Sequence, residues 1–215
     1  MLTRNFHQLE AEVQRHVAAD QVAQGSHKTG FIRCLAGGEN DPEFIEREYG
    51  VPLMTSRLAE SIFKGLPPGE APEFFAELPG VIQCNGKDLS TVGWQFLAAE
   101  LRALLAVSAE AQAVVAPVIA GMDLLAEGKE WPASAADDAA VAVYVAAVLA
   151  ADAASARAVY ADAYVAAAAA DAVYVASAAA AALGATDPIL ARRRQGNTLL
   201  RLISEAPITI TQENL

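Results

Sequence analysis

Apolar residues return at three- and four-residue steps along most of the chain, the period of an amphipathic helix rather than of a strand. The first set is Phe6, Leu9, Val13 and then His16 or Val17, beginning after Thr3 or Asn5 and closing at Gly25. Phe31–Leu35 is a short apolar run, and Gly37-Gly38-Glu39-Asn40 reads as a loop. Asp41-Pro42 predicts a helix start, because an aspartate can accept a first-turn N–H and proline suits the first helical position. That helix should end at Gly50. Pro52 opens the next, with Leu53, Leu58, Ile62 and Phe63 on its buried side and Gly65 at its end. Pro67-Pro68-Gly69 is a turn. Phe74, Phe75 and Leu78 mark a short helix that Pro79-Gly80 should stop, leaving 81–84 as a brief extended piece before the Asn85-Gly86 turn. Asp88 or Ser90 can cap a helix carrying Leu89, Val92, Phe96, Leu97, Leu101 and Leu104. A further helix over 109–127 contains Pro117, which should kink it, and Gly128 ends it.

Past Trp131-Pro132 the pattern changes. Residues 133–183 contain no glycine or proline, and 28 of these 51 positions are alanine. Alanine is the best helix former, so the tract predicts helix, about 75 Å of it if unbroken at ~1.5 Å per residue. Val-Ala-Val-Tyr-Val at 141–145 alternates like a strand, but the alanine density on either side favours helix. Tyr-Val-Ala recurs at 144, 164 and 174, yet the tyrosines hold no single stripe at about 100° per residue. The tract therefore either breaks into two helices near 152–155 or is contacted from several sides. Gly184 should cap it, a final helix runs over 188–204 to Pro207, and 208–211 is a lone β-prone tail. The resulting fold class is all-α: a helical bundle with a long alanine-rich helix or helical hairpin on its C-terminal side. Its expected parts are a helical N-terminal domain at 1–130, the alanine-rich region with the final helix at 131–206, and a tail at 207–215.

Charge narrows the partners. The chain of 215 residues carries a formal net charge of −11, with 18 acids against 10 bases in residues 1–130 alone. An acidic surface repels phosphates, so direct nucleic-acid binding is not expected, whereas a basic protein partner would suit it. Uncharged stretches such as residues 139–151, 13 residues long, fall short of the ~20 a membrane span needs. Asp152, Asp162 and Asp171 would also be costly in lipid. With no secretory pattern in residues 1–20, a cytoplasmic protein without membrane association is expected. Cys34 and Cys84 suit buried, reduced thiols rather than a disulfide framework or a metal site.

No stretch names a reaction. His7, His16 and His27 lie in the first 27 residues; His16 shares the apolar side of its helix, and Ser26-His27 has no neighbouring acid. Glu39, Asp41, Glu43, Glu46 and Glu48 form an acidic run without the order of a calcium loop, and acids answering a helix dipole account for it. Arg192-Arg193-Arg194 is the one basic cluster, able to pair with phosphate or with acids elsewhere in the molecule, and the acidity of the rest of the chain favours the second. Tyr144, Tyr160, Tyr164 and Tyr174 stand as large wedges among alanines, able to pack internally or across an interface. The candidate interface residues are thus Tyr144, Tyr160, Tyr164, Tyr174, Arg192, Arg193 and Arg194, with no catalytic residue, metal or cofactor expected.

Asn40-Asp41-Pro42, Glu46 with Tyr49-Gly50-Val51-Pro52, the stretch from Leu58 through Ile62-Phe63-Lys64-Gly65-Leu66-Pro67, Gly86-Lys87-Asp88-Leu89, the tryptophan-led alanine tract and Gln195 with Leu199-Leu200 form a recognisable outline. Together they resemble a group of uncharacterised bacterial and phage-borne proteins with a small helical N-terminal half and an alanine-rich helical tail. The resemblance implies a setting of phage conflict, that of immunity, antitoxin or anti-defence proteins, which act by binding. The leading expectation is a non-enzymatic protein-binding module that occludes a partner's surface, forming a homodimer through the tract tyrosines or a tight complex. An acidic nucleic-acid-mimicking inhibitor of a defence enzyme is an alternative, with Asp152, Asp162 and Asp171 sparse for that role. The other alternative is a small cytosolic enzyme with Arg33, Cys34, His27 and Asp41 meeting in the N-terminal half.

Overall fold

The computed structural model describes residues 1–19, 30–104, 109–132, 134–135 and 188–209. Of these, 70% are helical, in eight helices, so the all-α fold class holds. The chain forms two compact units, Met1–Val92 with Arg192–Leu215, and Gly93–Ala191. This grouping is drawn along other lines than the sequence boundaries at 130/131 and 206/207.

The first unit is built from five helices: α1 (Phe6–Ala18), α2 (Phe31–Leu35), α3 (Pro42–Tyr49), α4 (Leu53–Gly65) and α5 (Ala71–Ile82). Most of α8 (Pro188–Glu205) joins them. Helix α1 packs on α2 and α5, and α4 packs on α2, α3 and α5. Phe31 of α2 sits at the centre, edge-on to Phe75 at 5.6 Å and 6.4 Å from Phe74. Leu9, Ile45, Leu58, Ile62, Phe75, Ile82, Leu199 and Ile203 are almost completely buried around it. Gly196 of α8 lies against Ile62 and Phe74.

The local signals mostly hold. Asp41 Oδ1 accepts the Phe44 N–H at 2.9 Å with Pro42 in the first turn, and Gly50 closes α3 at φ 68°. A side chain at Gly50 would also strike the Leu2 carbonyl. Two helices are capped from a distance instead: Glu60 of α4 accepts the Ile32 N–H at 2.9 Å, and Glu46 of α3 accepts the Leu53 N–H at 3.2 Å.

Three expectations change. Helix α1 ends at Ala18, short of Gly25, and its apolar face leaves Val17 42% exposed while Leu9 and Val13 are buried. Pro79-Gly80 does not stop α5, which runs on to Ile82, so 81–84 is not an extended piece. An interior proline costs roughly 3 kcal/mol. Burying Leu78 and Ile82, at about 1.5–3 kcal/mol each, outweighs that. Gln83, at φ 67°, turns the chain out of the helix.

The β-prone tail is not alone either. Leu2 pairs antiparallel with Asp88, and Lys87 pairs antiparallel with Ile208. Thr3 N–H donates to Lys87 O at 2.8 Å, Asp88 N–H to Pro207 O at 2.7 Å and Thr209 N–H to Gly86 O at 2.7 Å. Three segments remote in sequence are thereby clasped side by side, and the described residues hold no longer strand.

In the second unit, α6 (Val92–Leu104) and α7 (Ala109–Ala126) are joined by Arg102, whose Nη2 lies 2.7 and 2.5 Å from the two Asp123 oxygens. Pro117 lies within α7, and Gly128 ends the turn after it at φ 70°. The Lys129 N–H reaches back to Leu124 O at 2.8 Å, and the Trp131 indole comes to rest on Gly121, where any Cβ would overlap it. Trp131, expected as a boundary marker, is therefore a packing residue of α7. The alanine-rich tract from 136 to 187 lies outside the described residues.

Candidate interaction surface

Tyr144, Tyr160, Tyr164 and Tyr174 all lie outside the described residues, as does His27. Arg192, Arg193 and Arg194 are placed, in the α8 segment belonging to the first unit. Arg193 forms a two-pronged ion pair with Glu70 ahead of α5, one prong being Nε to Oε2 at 2.8 Å. Hydrogen bonds from Arg193 hold the Glu70 carboxyl below the usual carboxylate range. Arg192 donates to Gln195 Oε1 at 3.0 Å and lies across Gly65, where a side chain would collide with its guanidinium. Pairing with acids in the same molecule thus describes Arg193.

The other chemistry-bearing side chains of the N-terminal half are engaged in holding the fold. Arg33 donates to the Gly38 carbonyl at 3.1 Å. Cys34 is buried, and burial pushes its thiol up despite the hydrogen bond with the Gly30 backbone. Asp41 caps α3 and lies 3.7 Å from Arg47, whose guanidinium sits 5.7 Å above the Phe44 ring. His16 has a side chain only 12% exposed, with Nε2 3.0 Å from Arg15 Nη2 and 3.9 Å from Glu12 Oε2, and a buried Nδ1 without a partner. His7 is fully at the surface, 3.9 Å from Glu10.

Sequence reading missed Lys87. It is 1% exposed, and its Nζ donates to Val81 O at 2.7 Å and Ser204 O at 3.1 Å. Both carbonyls belong to last turns, of α5 and α8, where the helix dipole is negative. Burial pulls the Lys87 ammonium below the ordinary lysine range, with the Cys84 thiol acting in the opposite direction. A lysine after an Asn-Gly turn looks like a surface cation. The return of α8 supplies its second acceptor, Ser204 O.

Also unforeseen is an open groove of about 340 Å³ between α1 and α5. Glu10, Val13, Gln14, Val17 and Ala18 line it from α1, and Ala76, Pro79 and Gly80 from α5. A signal that could have marked its α5 wall is the small or ring side chains Ala76, Pro79 and Gly80 recurring at three- and four-residue steps. Among the described residues no cluster of histidine, cysteine and carboxylate side chains has the makings of a metal site, and no helix is long and apolar enough to cross a membrane. Comparison with protein-family models, with curated proteins and with solved structures finds no match.

Proposed function

We propose that the protein is a non-enzymatic protein-binding module of the immunity, antitoxin or phage anti-defence type, acting in the cytoplasm by occluding a partner's functional surface. The observation that carries the reading is how its polar side chains are used. Arg33, Cys34 and Asp41, the residues an active site of the N-terminal half would draw on, hold a loop, fill the core and cap a helix. The acids, by contrast, outnumber the bases by 26 to 15 over the chain, and Glu73 and Glu77 stand exposed on α5, outside the ion pairs formed among the described residues. Such a surface speeds association with a basic partner more than it strengthens the final complex.

Affinity capture from the native host, with intact-mass analysis of what is retained, tests this. A stoichiometric protein, released by salt in step with its basic charge, is the expected result. A small molecule carried through purification, with no protein, would replace the binding module by an enzyme. The same proposal assigns homodimer formation to Tyr144, Tyr160, Tyr164 and Tyr174, since alanine-rich surfaces bury little area unless covered on both flanks. Light scattering should then give a dimer for the wild type and a monomer for Tyr164→Glu. A monomeric wild type would remove the dimer.

A further inference from the structure

We infer that the groove between α1 and α5 is the docking site for a helix of a partner protein that inserts a lysine or arginine side chain, its apolar stem against Val17, Ala18 and Ala76 and its charged head toward the carboxylates at the rim. This rests on the protein-binding role proposed above and names the surface and the chemistry of its partner. The groove floor is apolar and partly bare: Val17 is 42% exposed, an unusual state for a valine flanking the buried Val13. Its walls on α5 are small, since Ala76 is exposed and nothing lies within 4 Å of a Cβ built on Gly80. A helix can therefore approach closely there.

Among the described residues the charged groups at this place are carboxylates, with the Gln14 amide beside them on the α1 side. Glu10 lies on the rim, with only the His7 ring 3.9 Å away. Glu73 and Glu77 continue the exposed face of Ala76 and Gly80, because positions 73, 76, 77 and 80 fall on one side of a helix. Among the described residues no lysine or arginine lines the groove, and Arg15, the arginine of α1, is engaged with Glu12. An apolar trough with acceptors at its edge fits a side chain that is hydrocarbon along its length and cationic at its tip. A second copy of this chain, net charge −11, fits it poorly.

The test uses the full-length protein with methyl-labelled valine and alanine, and two synthetic 18-residue amphipathic helices, one of leucine and lysine and one of leucine and glutamate. The leucine–lysine helix should shift the Val13, Val17, Ala18 and Ala76 methyl signals saturably, and Ala76→Arg, which places a cation of the protein's own in the trough, should weaken it at least tenfold. The leucine–glutamate helix should leave those signals in place. Shifts confined to other methyls, equal shifts from both helices, or undiminished binding by Ala76→Arg would each overturn the assignment. So would spermidine giving the same Val17 shift at the same affinity as the lysine helix, which would make the site one for a free polyamine. Using wild type and Ala76→Arg as baits in host extract separates the two levels. A stoichiometric protein retained equally by both overturns the groove while the binding role stands; one retained by wild type and lost from Ala76→Arg supports both.

Discussion

Lys87→Met isolates the most unusual polar feature of the first unit. The substitution keeps a long unbranched stem but removes the ammonium that Val81 O and Ser204 O share at 2.7 and 3.1 Å. Each carbonyl left buried without a donor costs about 1–3 kcal/mol. Against this stands relief from burying an ion, several kcal/mol for an isolated charge but reduced here by two carbonyls at negative helix ends. The carbonyl side should win, by about 2 kcal/mol at pH 7, which in a chain of this size lowers Tm by about 4–8 °C. Dependence on pH supplies the sharper check. Burial lowers the folded-state pKa of Lys87 below its unfolded value of about 10.4. Between the two values the unfolded chain binds the extra proton, so stability rises as pH climbs through that alkaline window. The neutral amine still has two N–H groups for its two acceptors. Urea denaturation of wild type and Lys87→Met from pH 7 to pH 10 should therefore show the gap between them widening with pH. A variant as stable as wild type at pH 7, with a gap that stays flat, would refute the account of Lys87 as a bond between two helix ends.

Gly121→Ala would ordinarily gain about 1 kcal/mol of helix propensity; because a Cβ there overlaps the Trp131 indole, it should instead destabilise by roughly 1–3 kcal/mol and red-shift tryptophan emission, and a raised Tm would contradict the packing. Gly50→Ala combines a left-handed φ of 68° with a clash against the Leu2 carbonyl, so a loss of at least ~1 kcal/mol is expected in urea melts. Asp41→Ala removes the α3 cap and should cost about 1 kcal/mol by the same measurement, while Asp41→Asn should keep most of it. Far-UV circular dichroism of the whole chain should report more than ~60% helix, and a third of the chain in strand would be incompatible with an all-α protein.

Where a structural cause is local, it was readable in advance. The Asp41-Pro42 start, the Gly50 and Gly128 ends and the apolar stripe through Phe96 and Leu97 each depend on residues within a turn or two of one another. The misreadings share the opposite property. Pro79-Gly80 is a helix stop by every local measure, and it is overruled by Phe75, Leu78 and Ile82 reaching a core that neighbouring residues cannot announce. Lys87 draws no notice and Ile208 looks like a stray strand because the α8 end that holds the one, and the Lys87 segment that pairs with the other, lie more than a hundred residues away in sequence. The candidate surface divides the same way. Arg193 could be assigned an acid within the molecule from charge balance alone, but nothing in the sequence picks Glu70 out. The groove depends on which residues of α1 and α5 end up opposite one another.

The clasp also changes what the alanine tract can be. The chain leaves its first unit at Val92 and returns to it at Arg192, so Gly93–Ala191 is an insertion with both ends tied. The return is strongly held. Leu199 and Ile203 are fully buried, at about 1.5–3 kcal/mol each, to which the Lys87 bond to Ser204 and the seating of Gly196 on Phe74 are added. Those contributions are comparable with the ~5–15 kcal/mol by which a whole domain is stable. A fragment ending at residue 130 therefore lacks part of its own core, however complete its five N-terminal helices look on paper. The tract is not a free tail hung from a finished domain. A partner that grips it pulls on two covalent ends, one of which leads directly into α8, the helix that closes the first unit.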